Sequence, residues 1–178
     1  ALRRAPRLRA ALATRPALWR LASIQIARSL GAVFLVLHAR GELPGLFAYP
    51  AAWGDIAVGV TAPIAMWVAF SREAEIRRAG SRWRRAFVGW NVLGVADHVM
   101  AVTLGILCFP GVLHVIHVEP TTVVFAGLPM VLFPIFMVPF ACMGHRIMLD
   151  AIRLPEPARR PQTAEHRARR AALERTAS

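Results

Sequence analysis

Residues 86–108, AFVGWNVLGVADHVMAVTLGILC, form an apolar run with an acid and an imidazole, Asp97 and His98, at its middle. A run of about 20 apolar residues is long enough to cross a bilayer as a helix. An ionisable group at the centre of such a helix costs at least about 2.5–3.5 kcal/mol on insertion scales, so Asp97 requires a partner or a task. That requirement bounds what the rest of the chain can be.

Composition points the same way. Of 178 residues 56% are apolar, the mean hydropathy is +0.46, and the charges gather at the two ends and in one central patch. A soluble domain is about 45–50% apolar, with charge scattered along it. The expected fold is an all-α membrane protein, a four-transmembrane-helix bundle over 21–145 with spans at about 21–39, 55–70, 86–108 and 123–143. A basic segment (1–20) precedes it as an interfacial helix broken at Pro6 and Pro16, and a basic tail (146–178) follows, with a helix over 163–176.

All 22 basic residues are Arg. Six lie in 1–20, six in 71–85 and eight in 145–178; only Arg28 and Arg40 lie elsewhere. With four spans, the three basic segments fall on one face, and the positive-inside rule places both termini in the cytoplasm. The expectation is a multi-pass protein of a bacterial inner membrane. The net charge of +12 then reflects topology and contact with anionic lipid headgroups, not nucleic acid. Cys108 and Cys142 fall near opposite ends of their spans, too far apart for a disulfide.

Two loops and two spans carry further detail. Residues 40–54 hold two Pro and three Gly and read as an interfacial loop with Tyr49 and Trp53 in the aromatic belt. Asp55 then opens the second span, where an acid suits the positive end of the helix dipole. Pro63 should kink that span. Pro129, Pro134 and Pro139 recur every five residues in the fourth, which should be bent and packed against neighbours.

Two constellations could carry chemistry. The first is intramembrane: Arg28, Asn91, Asp97 and His98. At 1.5 Å per residue, Arg28 lies about 10 Å deep and Asp97 about 16 Å deep, within reach of a long side chain. The pair reads as a structural clamp, a proton-relay acid or a ligand-binding group. The second lies at the outer face: His38, Asp55, His114, His117 and Glu119, donor types that suit a divalent metal such as zinc or copper. HxxH by itself is a weak metal motif, and separate interfacial histidines that snorkel and hydrogen-bond are the preferred reading. Haem ligation needs two histidines at matched depth, and His98 and His38 match badly. No Walker loop, nucleophile elbow or HExxH motif is present, so catalytic residues stay unassigned and the reading leans away from an enzyme.

The pattern Gly41-Glu42-Leu43-Pro44, Trp53-Gly54-Asp55 with Gly59, Gly94 with Asp97, and Pro120-Thr121-Thr122 with Leu128-Pro129 resembles small bacterial four-span inner-membrane proteins. That resemblance covers about 21–145 and brings no activity with it. The first span, with Arg28, Gly31 and Phe34, is also similar to the start of DoxX-type four-helix membrane proteins, which implies a redox or quinone-associated role and no site residues.

The leading functional expectation is an accessory or assembly subunit packed against a larger membrane complex, with a protein partner or further copies of itself. A redox protein binding quinone, haem or an outer-face metal is the alternative, although the sequence requires no cofactor. A small-solute or proton transporter using Asp97 is the third.

Overall fold

The structure, a computed structural model, describes residues 15–153. Residues 1–14 of the expected N-terminal segment and the tail helix over 163–176 lie outside the described residues. Among the described residues every regular element is helical and no strand occurs.

The first helical segment starts earlier than expected. It comprises α1 (Arg15–Ile24), an eight-residue 3-10 stretch (Gln25–Ala32) and α2 (Val33–Ala39). Pro16 sits in its first turn, where the missing N–H costs no intrahelical bond.

The second segment departs most from expectation. Helix α3 runs Gly45–Ser71, so residues 45–54 are its opening turns, not an interfacial loop. The extended backbone at Pro44 starts it, and Pro50 and Pro63 are both carried inside. The reason lies in the buried face, where Ala48, Ala51, Ala52, Val58, Gly59, Ala62, Ala65 and Ala69 recur at helical spacing. That stripe of small residues lets neighbouring backbones close in, which offsets the bonds lost at proline. Asp55 therefore sits ten residues inside the helix and has no helix-start role.

A short helix, α4 (Glu73–Arg77), fills the central loop. Helix α5 then runs Arg82–Leu107, with the Ser81 side chain accepting from the Trp83 N–H at 3.2 Å as its N-cap. The fourth segment is not one helix. It begins as a 3-10 turn (Val123–Ala126), passes a non-helical stretch, widens into a π-helical turn (Phe133–Met137) and continues as α6 (Val138–Ala151). Pro134 and Pro139 each fall at the start of a new element, where the absent N–H is tolerated. Three helices, Pro16–Ala39, Gly45–Ser71 and Arg82–Leu107, are long and apolar enough to cross a membrane.

Two apolar clusters lie at opposite ends of the bundle. One joins Leu18, Ala22, Val68, Ala69, Ile76, Phe87, Met148 and Ile152. The other joins Phe34, Leu37, Leu43, Phe47, Ala48 and Met130, with Phe125 and Phe133 packed against it. Its rings meet edge-on, Phe34 to Phe47 at 5.5 Å and Phe47 to Phe125 at 5.1 Å between centroids. The first, second and fourth segments each contribute to both clusters, so all three run the length of the bundle.

At the first cluster, arginines from the central loop close the end of α6. Arg77 donates to Ala151 O at 2.9 Å, and Arg84 donates to Ile76 O, Arg77 O and Ile152 O. These bonds satisfy carbonyls that a helix end leaves open.

Backbone meets backbone closely where α3 packs on the first segment. A Cβ on Gly59 would fall 2.6 Å from the backbone nitrogen of Ser29, which cannot swing aside. Gly59→Ala should therefore cost about 1–3 kcal/mol through overpacking and lower the thermal midpoint in detergent. Gly89→Ala, where a Cβ meets nothing within 4 Å, should leave the midpoint unchanged or raise it.

Candidate functional site

The centre of the bundle, between the two apolar clusters, is built on Arg28. In the 3-10 stretch a residue recurs on the same edge every third position. Gln25, Arg28 and Gly31 are all buried, and the register aims all three inward. An α-helix would have fanned them apart.

The Arg28 guanidinium reaches all the other long segments. Its Nε donates to Asp55 Oδ1 of α3 at 2.7 Å. Its Nη2 donates to Asp97 Oδ2 of α5. Its Nη1 donates to Gly94 O of α5 at 3.2 Å and to His145 Nε2 of α6 at 3.3 Å. Arg28 is 4% exposed, Asp97 7% and His145 0%. The planar fork of arginine serves several acceptors at fixed angles, which an ammonium does not do.

The bonds fix the tautomers around it. Because Arg28 donates to His145 Nε2, the proton of His145 sits on Nδ1, which donates to Asn91 Oδ1 at 3.0 Å. Asn91 Nδ2 in turn donates to Phe87 O at 2.8 Å. His98 Nδ1 donates to Gly94 O at 2.6 Å, which leaves Nε2 as its acceptor. Gln25 Nε2 donates to Ala141 O at 3.3 Å.

Glycines make the slots that these side chains fill. A Cβ on Gly54 would strike the Asp97 carboxylate, one on Gly94 the His145 ring, one on Gly31 the Asp55 side chain, and one on Gly144 Gln25 Nε2. Each polar group thus lies against a glycine of a facing segment.

The charge count is uneven. One guanidinium meets two carboxylates, and a net charge is costly in a low-dielectric interior. Neutrality requires one further proton. His145 has both ring nitrogens engaged, whereas Asp97 Oδ1 is buried with no hydrogen-bond partner, and neither His98 Nε2 nor Asp55 Oδ2 has one among the described residues. A neutralising proton would have three acceptors open to it, Asp97 Oδ1 and His98 Nε2 on α5 and Asp55 Oδ2 on α3.

Of the intramembrane set, Arg28, Asn91, Asp97 and His98 all line this centre, although Asn91 reaches Arg28 only through His145. Asp55 and His145 belong to it and were not assigned to it from the sequence. Asp55 was masked by the expected loop before it, since its depth is visible only once residues 45–54 are helical. The outer-face set is not gathered. Asp55 has left it for Arg28. His38 Nδ1 bonds Leu43 O at 2.9 Å, and His114 and His117 stack edge-on at 4.6 Å. Among the described residues no group of three or more His, Cys, Asp or Glu is placed to hold a metal ion.

A cavity of about 160 Å³ reaches this centre from between the 3-10 stretch of the first segment and the fourth segment, lined by Ala27, Arg28, Asp55 and His98 on one side and by Phe133, Phe136 and Met137 on the other. A larger apolar hollow of about 640 Å³ lies near the second cluster, beside Phe47, Gly105, Phe109 and Thr122.

Comparison with protein-family models matches residues 1–153 to a domain of unknown function, DUF8737. No curated protein and no solved structure matches the chain.

Removing Arg28 leaves two buried carboxylates uncompensated, so Arg28→Gln should cost about 3–5 kcal/mol in detergent unfolding. Asp55→Asn should cost clearly less, because it leaves one carboxylate to one guanidinium. Arg28→Lys should fall with Arg28→Gln, not with the wild type, since an ammonium cannot serve all four acceptors.

Proposed function

The chain belongs to the DUF8737 family, and from its Arg28 centre we propose that it is a small proton-exchanging membrane protein of the transporter class. In this reading all four segments span a bacterial inner membrane and both termini are cytoplasmic. The placement of arginine supports that topology, as does the sharing of one apolar cluster by Leu18, Ile76 and Ile152. The observation that carries the functional reading is the odd carboxylate. A structural clamp needs one acid for one base. Here two acids and two imidazoles surround one guanidinium at mid-bundle, each at a desolvation cost that a clamp alone does not repay. Asp97 holds the exchangeable proton, His98 relays it toward the cavity, and Arg28 keeps the pair in register while the fixed tautomer of His145 holds Arg28.

A second reading, an accessory subunit packed on a larger membrane complex or on further copies of itself, is supported by uncovered apolar faces. Val60, Ile64 and Trp67 of α3 and Val92, Leu93 and Val99 of α5 are exposed. Lipid or a partner helix would cover them equally well. Purification in mild detergent separates the two: a stoichiometric partner that persists supports the accessory reading, and a homogeneous single species counts against it.

In liposomes carrying a pH-sensitive dye, the wild type should dissipate an imposed pH gradient, and Asp97→Asn should reduce the rate to that of protein-free vesicles. A rate unchanged by Asp97→Asn would remove the proton-exchange reading. For topology, Ser178→Cys in a chain with Cys108 and Cys142 replaced by Ser should label only from the cytoplasmic side, and Glu119→Cys only from outside.

A further inference from the structure

The cavity beside Arg28 has a composition that proton exchange by itself does not explain. Its volume is about 160 Å³, close to the roughly 150 Å³ of an engineered apolar cavity that binds benzene. One wall is aromatic and thioether: Phe133, Phe136, Met137 and Phe140. The Phe136 and Phe140 rings stack at 5.6 Å with their planes 8° apart. The facing side carries a small polar patch, Asp55 and His98 backed by Arg28.

The polar side presents acceptors ahead of donors. His98 carries its proton on Nδ1, committed to Gly94 O. Its Nε2 is then a lone pair, has no partner among the described residues, and opens on the cavity. Asp55 is a carboxylate whose Oδ1 holds Arg28. Four of the five Arg28 N–H donors are taken by protein acceptors. A molecule that suits this space has one flat ring and one hydroxyl donor.

The way in is from the side. Ile24, Phe136 and Phe140, at the mouth, are exposed on the outer surface of the bundle, which is apolar there. The π-helical turn Phe133–Met137 shapes this wall by widening the backbone and swinging Phe133, Phe136 and Met137 toward the first segment. Such turns recur at functional sites in other helices.

We propose that the cavity between the 3-10 stretch and the fourth segment is a binding site for a hydroxylated aromatic ring, taken up from the bilayer, with its hydroxyl donating to His98 Nε2 and its ring between Phe133, Phe136 and Met137. The ring comes either as a free phenol or as the head of a lipid-tailed hydroquinone; the hydroxyl and the ring are the chemistry shared by both. This assignment rests on the proton-exchanging reading of the same centre, because a hydroxyl on His98 is placed to give and take the proton that the centre holds. Only binding is assigned, and no redox step is included.

The test uses the full chain in lipid nanodiscs with three probes, phenol, benzene and a short-tailed prenyl hydroquinone, followed by saturation-transfer NMR. Phenol should bind the wild type about tenfold more tightly than benzene, the worth of one hydrogen bond. His98→Phe keeps a ring in place and removes the acceptor, so it should erase that preference while benzene still binds. Ala27→Phe at the mouth should abolish binding of all three. Tighter binding of the tailed probe than of phenol identifies a lipid-soluble source, and equal binding identifies free phenols. Phenol no better than benzene in the wild type, or a preference that survives His98→Phe, overturns the proposal. If binding fails while Asp97→Asn still abolishes proton flux, the proposal falls and the proton reading stands. If binding holds while flux is insensitive to Asp97→Asn, the proton reading falls and the cavity remains a ring-binding site.

Discussion

A single buried guanidinium ties the bundle together. Arg28 bonds Asp55 on α3, Asp97 and Gly94 on α5, and His145 on α6, so every long segment is fixed to the first through one side chain. Buried ions are held in place only when their partners are in reach and their remaining donors are satisfied. That condition dictates much around it. The 3-10 register brings Gln25, Arg28 and Gly31 onto one edge, and glycines at 31, 54, 94 and 144 clear the space that Asp55, Asp97, His145 and Gln25 occupy. A charged centre this deep and this close-packed admits few alternative arrangements of the helices.

The two apolar clusters take the complementary role. Small side chains on α3 let the backbones approach, and the phenylalanine cluster at one end and the Leu18–Met148 cluster at the other close the bundle above and below the charge. Near the second end, the loop arginines do two different jobs. Arg77 and Arg84 are spent on the carbonyls of α6 and of their own loop, while Arg72 lies over the rings of Trp67 and Trp83 at 5.7 and 5.2 Å. Part of the positive charge between α3 and α5 thus caps a helix and part rests on aromatic faces. The fourth segment is where regularity is given up. Its prolines divide it into a 3-10 turn, a π turn and a helix, and the widened backbone leaves the side cavity that meets His98.

Some of this was legible in the residues. An ionisable pair at mid-span and an arginine at similar depth on another span put Arg28 and Asp97 within reach by arithmetic on helical rise. Asp55 was not legible in that role. Two prolines and three glycines before it read as a loop, and only the alanine stripe from 48 to 69 shows that the helix continues through them. His145 sat beyond the expected end of the last span; α6 extends to Ala151 and carries it inward. The outer-face donors share only a nominal position along the chain, and the fold spends Asp55 on Arg28 and His38 on Leu43 O.

The sequence by itself determined the class. Apolar runs of bilayer length, and arginine gathered into three segments but for Arg28 and Arg40, are properties of composition and order, and they constrain a chain before it folds. The tertiary structure decided the site. Whether an acid at residue 55 opens a helix or sits in its middle, and whether a histidine at 145 faces water or a guanidinium, depends on which backbones can approach. That approach is set by pairs of positions far apart in the chain, a glycine on one helix and a polar side chain on another, which no local pattern records.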